Sequence, residues 1–147
     1  ILPIGETGIL QARSQQMANE HDWVSTTDLA SIDADGFVWL SGRADAAINR
    51  GGFKIIPNEV AAILEAHAQV KEATVVAMDD ARLGQVPVAA VELCEGASGV
   101  SEASLKTWAK ENMTSYFVPV RFAIVDALPR TSSMKVSLMD VRRLFDS

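Results

Sequence analysis

Short apolar runs separated by polar turns recur along the chain. Valine-rich runs bounded by turn residues are typical of strands, and they occur at Ala73 to Met78 and Val86 to Leu93, while Arg121 to Val125 is predicted as one more strand. The polar stretch Asp79 to Gln85 is predicted to be the loop between the first two. The opening stretch has no clean period of two or 3.6, so we expect loops there and one short strand, Thr7 to Ala12.

Two hairpins are predicted from turns that contain glycine. Asp35-Gly36 followed by the apolar run Phe37 to Leu40 is a strong signal for two antiparallel strands. A second pair, Ala46 to Asn49 and Phe53 to Ile56, is joined by Arg50-Gly51-Gly52. Glycine supplies the positive φ angles that a tight turn needs.

Three helices are predicted from apolar spacing and from end signals. The Pro57 to Leu64 segment has proline in its first turn and an apolar stripe at helical spacing. Ser101 can cap a helix from Glu102 to about Met113. Helical spacing returns from Ser137 to Phe145. Strands and helices alternate without a regular βαβ repeat, so the predicted class is α+β: a small domain with an antiparallel hairpin and a short mixed sheet packed by helices.

Composition narrows the class of protein more than it identifies a function. The 147 residues suffice for one ordinary domain, or for a small domain that carries a fragment of another. The net charge of −6 argues against a nucleic-acid partner, which requires clustered Lys and Arg. We find neither a transmembrane run nor a signal-peptide pattern, so a soluble cytoplasmic protein is the default. Cys94 has no partner cysteine, and His21 and His67 lack neighbouring metal ligands, so no metal site is predicted.

Charged residues gather around the turns between Asp28 and Lys54. An acid, an arginine and a second acid precede the basic glycine-rich hairpin, and such a stretch could bind a hydroxylated anion. Charged surface turns are also common without any function. On that alternative, Asp28 is a cap or turn residue, Arg43 forms a weak surface ion pair with Asp45 or Asp28, and Lys135 is a loop lysine.

Five motifs in order resemble the C-terminal motifs of the adenylate-forming superfamily, which holds acyl- and aryl-CoA synthetases, peptide-synthetase adenylation domains and luciferases. The motifs are Trp23-x3-Thr27-Asp28-Leu29-Ala30, Asp35-Gly36-Phe37, Gly42-Arg43-Ala44-Asp45, Gly51-Gly52-Phe53-Lys54-Ile55-Ile56-Pro57-Asn58-Glu59-Val60, and Leu128-Pro129-Arg130-Thr131-x3-Lys135-Val136. The resemblance implies that residues 1–44 are the end of a large N-terminal adenylation domain. Residues 45–147 would be the mobile C-terminal domain.

The resemblance also implies an activity. Members activate a small-molecule carboxylate with ATP, which is bound with Mg²⁺ mainly by the large domain, to an acyl-adenylate and pyrophosphate. The synthetases then transfer the acyl group to coenzyme A. This chain shows neither the phosphate loop nor the acyl pocket, so it should be inactive without its own N-terminal domain. Two alternatives stay open: an adenylation domain that loads a carrier protein, and a non-catalytic interaction module that keeps the fold.

Three residues match positions that act on the nucleotide or the reacting groups. Asp28 matches the carboxylate that binds the ribose hydroxyls of ATP, a role that needs an acceptor of two hydrogen bonds. Arg43 matches the arginine that reaches the ribose or a phosphate. Lys135 matches the lysine that bridges the substrate carboxylate and the α-phosphate during adenylation.

The remaining matches concern movement and coenzyme A. Asp45 matches the hinge on which the C-terminal domain turns. Gly51 and Gly52 match the turn that faces the active site after the rotation and lets the pantetheine arm pass. Lys54 follows at a position that often holds a basic residue near phosphate.

The chain departs from the family pattern at three places. Met134 stands where relatives usually have glycine before the catalytic lysine. Thr27 stands in place of the glycine of the usual Thr-Gly-Asp motif. In the segment Tyr116-Phe117-Val118-Pro119, many synthetases carry a lysine that meets coenzyme A, whereas Phe117 and Val118 are apolar.

Overall fold

The computed structural model describes residues 2–13 and 23–146. The chain divides into two compact units, Ile1–Ala47 and Ile48–Ser147. His21 lies outside the described residues. In the part that is described, no helix has the length and apolar character that crossing a membrane requires.

The first unit is a three-stranded antiparallel sheet. Its strands are β1 (Gly8–Ala12), β2 (Val24–Ile32) and β3 (Val38–Arg43), in the order β1-β2-β3. The Asp33 carboxylate closes the β2–β3 turn by accepting hydrogen bonds from Trp39 Nε1 at 2.7 Å and from the amides of Phe37 and Asp35 at 2.9 and 3.0 Å. These bonds favour the charged carboxylate, so they lower the pKa of Asp33. The predicted hairpin around Asp35-Gly36 is confirmed.

The second unit is a five-stranded mixed sheet with three helices. Its elements are β4 (Ile48–Arg50), β5 (Phe53–Ile55), α1 (Pro57–Glu65), β6 (Val70–Asp80), β7 (Gly84–Leu93), α2 (Glu102–Asn112), β8 (Arg121–Val125) and α3 (Leu138–Arg143). The order is β5-β4-β7-β6, and β8 runs parallel to β7 while the other pairings are antiparallel. The predicted α+β class is confirmed.

Strand β7 is the centre of this unit, because its residues 86–92 are buried on both faces. Ala89 and Val91 belong to the core cluster that contains the buried residues of α1 and α2, whereas Val88 and Ala90 pack with the cluster around Leu128 of the following loop. This alternation follows the two-residue period of a strand. Burying an aliphatic side chain stabilises a fold by about 1.5–3 kcal/mol, so β7 fixes helices and loops on both faces.

Three predicted boundaries need correction. The strand placed at Ala46 to Asn49 is Ile48–Arg50, since Ala46 belongs to a short 3-10 turn. The loop placed at Asp79 to Gln85 is shorter, because β6 extends to Asp80 and β7 begins at Gly84. The Asp80 carboxylate accepts hydrogen bonds from the amides of Leu83 and Arg82 at 2.8 and 2.9 Å, which closes a tight turn and lowers the pKa of Asp80. The last helix covers only Leu138–Arg143, and its final apolar residues lie in a turn beyond it.

The predicted cap of α2 is confirmed. The Ser101 hydroxyl accepts a hydrogen bond from the Ser104 amide at 3.1 Å, and the Ser104 hydroxyl accepts one from the Ser101 amide at 2.9 Å. This reciprocal capping box satisfies two donors that a helix start would otherwise leave unpaired.

Candidate functional site

Asp28 and Arg43 lie opposite each other on β2 and β3, and their Cα positions are partners in the strand register. Asp28 is half-buried. Its amide donates to the Thr26 hydroxyl at 3.0 Å, and that hydroxyl donates to the Leu10 carbonyl of β1 at 2.9 Å. The strand that carries Asp28 is thereby fixed to its neighbours on both sides. The sheet places one carboxylate and one guanidinium next to each other, a combination that can bind a hydroxylated anion.

A bulge in β3 produces this pairing. Ala30 is the partner of Leu40 and Leu29 is the partner of Gly42, so Ser41 is an extra residue on β3. Gly42 has φ +138°, a conformation that favours glycine. In a regular strand, residues 40 and 43 would face opposite sides. The bulge shifts the alternation by one residue and brings Arg43 across from Asp28.

Asp45 lies in a short 3-10 turn, Ala44–Ala46, that follows β3. The backbone is extended on both sides of the turn, with φ −117° at Arg43 and φ −60° at Ala47. The two compact units meet in sequence directly after Ala47. The hinge role of Asp45 remains a prediction.

The β4–β5 hairpin turns at Gly51 and Gly52, as the sequence predicted. Arg50 and Phe53 are the last register partners, and the two glycines between them have φ +55° and +90°. Positive φ at both central residues defines the tight turn that glycine permits and other residues resist. A Cβ atom at Gly52 would meet no atom within 4 Å, so the space beside Gly52 is open, whereas one at Gly51 would lie 3.1 Å from Leu83 Cδ2.

Arg50 and Phe53 fasten this hairpin to the segment before β8. Arg50 Nη1 donates to the carbonyl oxygens of Tyr116 and Val118 at 2.9 and 3.1 Å. The Phe53 ring stacks on the Tyr116 ring with a centroid distance of 4.4 Å. Lys54 is exposed, and in the described part of the chain no carboxylate lies within salt-bridge distance of it.

A cavity of about 290 Å³ lies beside Arg50 and is lined by several basic side chains. Its lining consists of Arg50, Lys106, Lys110, Ser115, Val118, Pro119 and Val120, and it includes no carboxylate. Lys106 and Lys110 are one helical turn apart on α2, and no salt bridge within the described residues neutralises either of them. Like charges at this spacing weaken a helix slightly.

These two lysines were absent from the predicted site. Their spacing of four residues was the only signal in the sequence, and it is common on solvated helix faces. The cavity distinguishes them from ordinary surface lysines, because it adds Arg50 and the Ser115 hydroxyl from other segments. The cavity can receive an anion such as a phosphate group.

Lys135 lies on a closed loop between β8 and α3. Arg130 and Val136 form an antiparallel bridge at the base of the loop. The Thr131 amide donates to the Lys135 carbonyl at 2.7 Å, and the Met134 amide donates to the Thr131 carbonyl at 2.9 Å. The Lys135 side chain is exposed, and its ammonium group has no salt bridge within residues 2–13 and 23–146.

Met134 adopts the backbone conformation that glycine prefers. Its φ is +65°, and among the described residues it is the only non-glycine residue with positive φ. The left-handed conformation costs an L-residue roughly 1–2 kcal/mol. Its side chain is 73% exposed, so burial does not compensate for this cost. The departure from glycine at position 134 is therefore a local strain immediately before Lys135.

Glu92 anchors the start of the same loop. It is the buried charged residue of the described chain, with 7% exposure. Its carboxylate accepts hydrogen bonds from the Lys71 ammonium and from the Leu128 amide, the latter at 3.0 Å. The Lys71 bond, followed by the Leu128 bond, lowers the pKa of Glu92.

The described residues contain no group of three or more His, Cys, Asp or Glu side chains arranged to hold a metal ion.

Comparison with known families identifies the class of protein. The family model for the AMP-binding enzyme C-terminal domain matches residues 59–135, from α1 to Lys135. The chain belongs to this family.

Similar proteins are CoA ligases. The 2-succinylbenzoate–CoA ligase of Geobacillus kaustophilus is 38% identical over 122 residues, which are 83% of this chain and 25% of that protein. The oxalate–CoA ligase of Arabidopsis thaliana is 37% identical over 126 residues, or 86% of this chain and 24% of that protein. The chain spans about a quarter of the length of these curated relatives.

A solved structure shares the architecture. The o-succinylbenzoate CoA synthetase of Bacillus subtilis, in complex with its acyl-adenylate intermediate, superposes with a TM-score of 0.74 and 29% identity. The match covers 96% of this chain and 31% of the synthetase.

Proposed function

We propose that this chain is the C-terminal part of an acyl- or aryl-CoA ligase. The ligase activates a carboxylate with ATP to an acyl-adenylate and pyrophosphate, and then transfers the acyl group to coenzyme A. The observation that carries the proposal is the exposed Lys135 at the end of the family match, on a closed loop and without a neutralising carboxylate among the described residues. The match of the chain to about a quarter of several CoA ligases supports it.

Lys135 acts in the first half-reaction. As the carboxylate oxygen attacks the α-phosphorus, negative charge accumulates between two anionic groups. An ammonium group aimed at both groups stabilises this transition state more than the separated reactants, which lowers the barrier. Asp28 accepts hydrogen bonds from the ribose hydroxyls, and Arg43, its partner across the sheet, donates to the same nucleotide.

The second half-reaction uses the β4–β5 turn and the neighbouring basic cavity. The open space beside Gly52 leaves room for the pantetheine arm. Arg50, Lys106 and Lys110 supply cations for the phosphates of coenzyme A where the Tyr116 to Pro119 segment has no lysine. The cavity favours coenzyme A over a carrier protein as acceptor, because it suits a small, strongly anionic ligand.

The two half-reactions provide the test for a full-length ligase that contains this chain. Lys135→Ala should slow carboxylate-dependent ATP–pyrophosphate exchange about 10²–10³-fold, as expected for loss of a preorganised charged donor. Transfer from supplied acyl-adenylate to coenzyme A should stay within a few-fold of normal. Equal losses in both reactions, or no loss in either, would remove Lys135 from this role and favour a non-catalytic module.

The cavity as the site for the phosphates of coenzyme A is tested by a double variant, Lys106→Gln with Lys110→Gln. It should raise the KM for coenzyme A and leave pyrophosphate exchange unchanged, whereas Arg82→Gln on the exposed β6–β7 turn should change neither. An unchanged KM would exclude the cavity as the phosphate site.

The chain alone should show no ATP–pyrophosphate exchange activity, and such exchange by the purified chain would contradict that part of the proposal.

A further inference from the structure

Arg130 connects the Lys135 loop to the sheet. Its Nη2 donates to the Glu72 carboxylate of β6, and its Nη1 donates to the Met134 carbonyl oxygen at 3.2 Å. One planar guanidinium group therefore joins a fixed strand to the peptide directly before Lys135. Its rigid fork of donors suits this task better than a flexible ammonium group.

The Glu72 end of this connection lies on β6, opposite the buried Glu92 of β7. Glu72 and Glu92 are register partners on β6 and β7, and Lys71 and the Leu128 amide bind the Glu92 carboxylate. The side chains of Arg130 and Glu72 are 35% and 32% exposed, so both are partly shielded from water. Charge-assisted hydrogen bonds are stronger and more ordered in such a position than on an open surface.

The Met134 end of this connection lies in the peptide directly before Lys135. The Met134 carbonyl belongs to the planar peptide that also contains the Lys135 amide nitrogen. Holding that oxygen sets the orientation of the peptide plane and hence the direction in which the Lys135 side chain leaves the backbone. Because Met134 has φ +65°, the observed backbone conformation is strained. The hydrogen bond from Arg130 opposes relaxation of this backbone to an unstrained conformation.

We propose that Arg130, oriented by Glu72, is a positioning residue for Lys135 in the adenylation step. The inference rests on the proposed function for the reaction, but its structural part concerns only the loop. Arg130 does not touch the reacting atoms on this proposal. It acts by holding the ammonium group of Lys135 where the two anionic groups meet.

A double-mutant cycle in the full-length ligase distinguishes positioning from general stabilisation. Arg130→Gln should lower pyrophosphate exchange about 10–100-fold, because small displacements of a catalytic group have effects of this size. Transfer from supplied acyl-adenylate should change less than about 2-fold. Glu72→Gln should also lower pyrophosphate exchange without affecting the transfer step, but by a smaller factor than Arg130→Gln. In a Lys135→Ala background, Arg130→Gln should cause almost no further loss. Independent losses that multiply, or equal losses in both half-reactions, would overturn the proposal.

Amide hydrogen exchange of the same full-length proteins tests the loop without relying on activity. Arg130→Gln should speed exchange at the Thr131 and Met134 amides, whose acceptors lie within the loop. Arg142→Gln, which breaks the exposed Arg142–Asp79 pair, should leave both amides unchanged. Unchanged exchange in Arg130→Gln would overturn the proposal even if activity fell. If Lys135→Ala itself left pyrophosphate exchange intact, the proposed function would fail instead, and the amide data would still decide whether Arg130 holds the loop.

Discussion

Asp28 and Arg43 are direct partners across β2 and β3, and they owe this position to the extra residue Ser41 in the β3 bulge. Two side chains assigned to the same nucleotide by resemblance thus share one face of one sheet. The placement requires no contact from any other element, because strand pairing alone establishes it.

Asp28→Ala should weaken the use of ATP by the full-length ligase. Loss of a charged acceptor for two hydroxyl groups costs about 1.5–3 kcal/mol, so the KM for ATP should rise while the KM for the carboxylate changes little. Steady-state kinetics with each substrate varied in turn measure this. Asp35→Ala, in the exposed turn of the same sheet, is the control, and an unchanged ATP dependence in Asp28→Ala would make Asp28 a structural residue.

Met134→Gly should stabilise the chain. Glycine relieves the left-handed strain, although its freedom in the unfolded state offsets part of the gain, so the free energy of unfolding should rise by about 0.5–1 kcal/mol. Met139→Gly, at an exposed position in α3, should lower it by about 1 kcal/mol. Urea denaturation measures both variants, and a lower stability for Met134→Gly would show that the positive φ does not strain this loop.

Glu92 should contribute to the loss of stability in acid. Its pKa is lower in the folded chain than in the unfolded chain, so its contribution is present above the unfolded pKa and disappears as the pH falls through the folded pKa. Glu92→Gln should therefore lose less stability than the parent chain between neutral and acid pH. Urea denaturation at a series of pH values tests this, with Glu95→Gln as an exposed control. Parallel pH profiles for Glu92→Gln and the parent would contradict it.

Asp45→Pro should uncouple the two half-reactions of the full-length ligase. Proline fixes φ at residue 45 and disfavours helical geometry at Ala44, so it restricts the turn that precedes the second unit. One half-reaction should survive and overall thioester formation should fall. Asp45→Ala removes the side chain but keeps the backbone freedom, so it should retain overall activity. Full thioester formation in Asp45→Pro would exclude position 45 as the hinge.

The sequence predicted those features that depend on local chemistry. The turn at Gly51-Gly52, the Ser101 cap and the strand β8 follow from residues adjacent in the chain, and each is confirmed. The length of β6 was missed, because a polar sequence at its end is equally typical of a loop. The Asp80 side chain, by closing the turn, allows the strand to continue.

The long-range contacts of the candidate site could not be predicted from the sequence. Neither the extra residue Ser41 nor the bond from Arg130 to Glu72 has a local signature, because each depends on which strands become neighbours. The same holds for the cavity shared by Arg50 and the α2 lysines. The family resemblance supplied the residues predicted for the nucleotide site but not the groups that hold them in place.

Strand β7 contacts both the β4–β5 hairpin and the start of the Lys135 loop. The β4–β5 hairpin pairs with its first residue, Gly84, and the Lys135 loop is tied through Leu128 to Glu92 near its last. At about 3.3 Å per residue these anchor points are roughly 26 Å apart along a strand buried on both faces. Such a strand cannot shorten or bend to bring its ends together. The Gly51-Gly52 turn and the Lys135 loop are therefore tied to opposite ends of this strand.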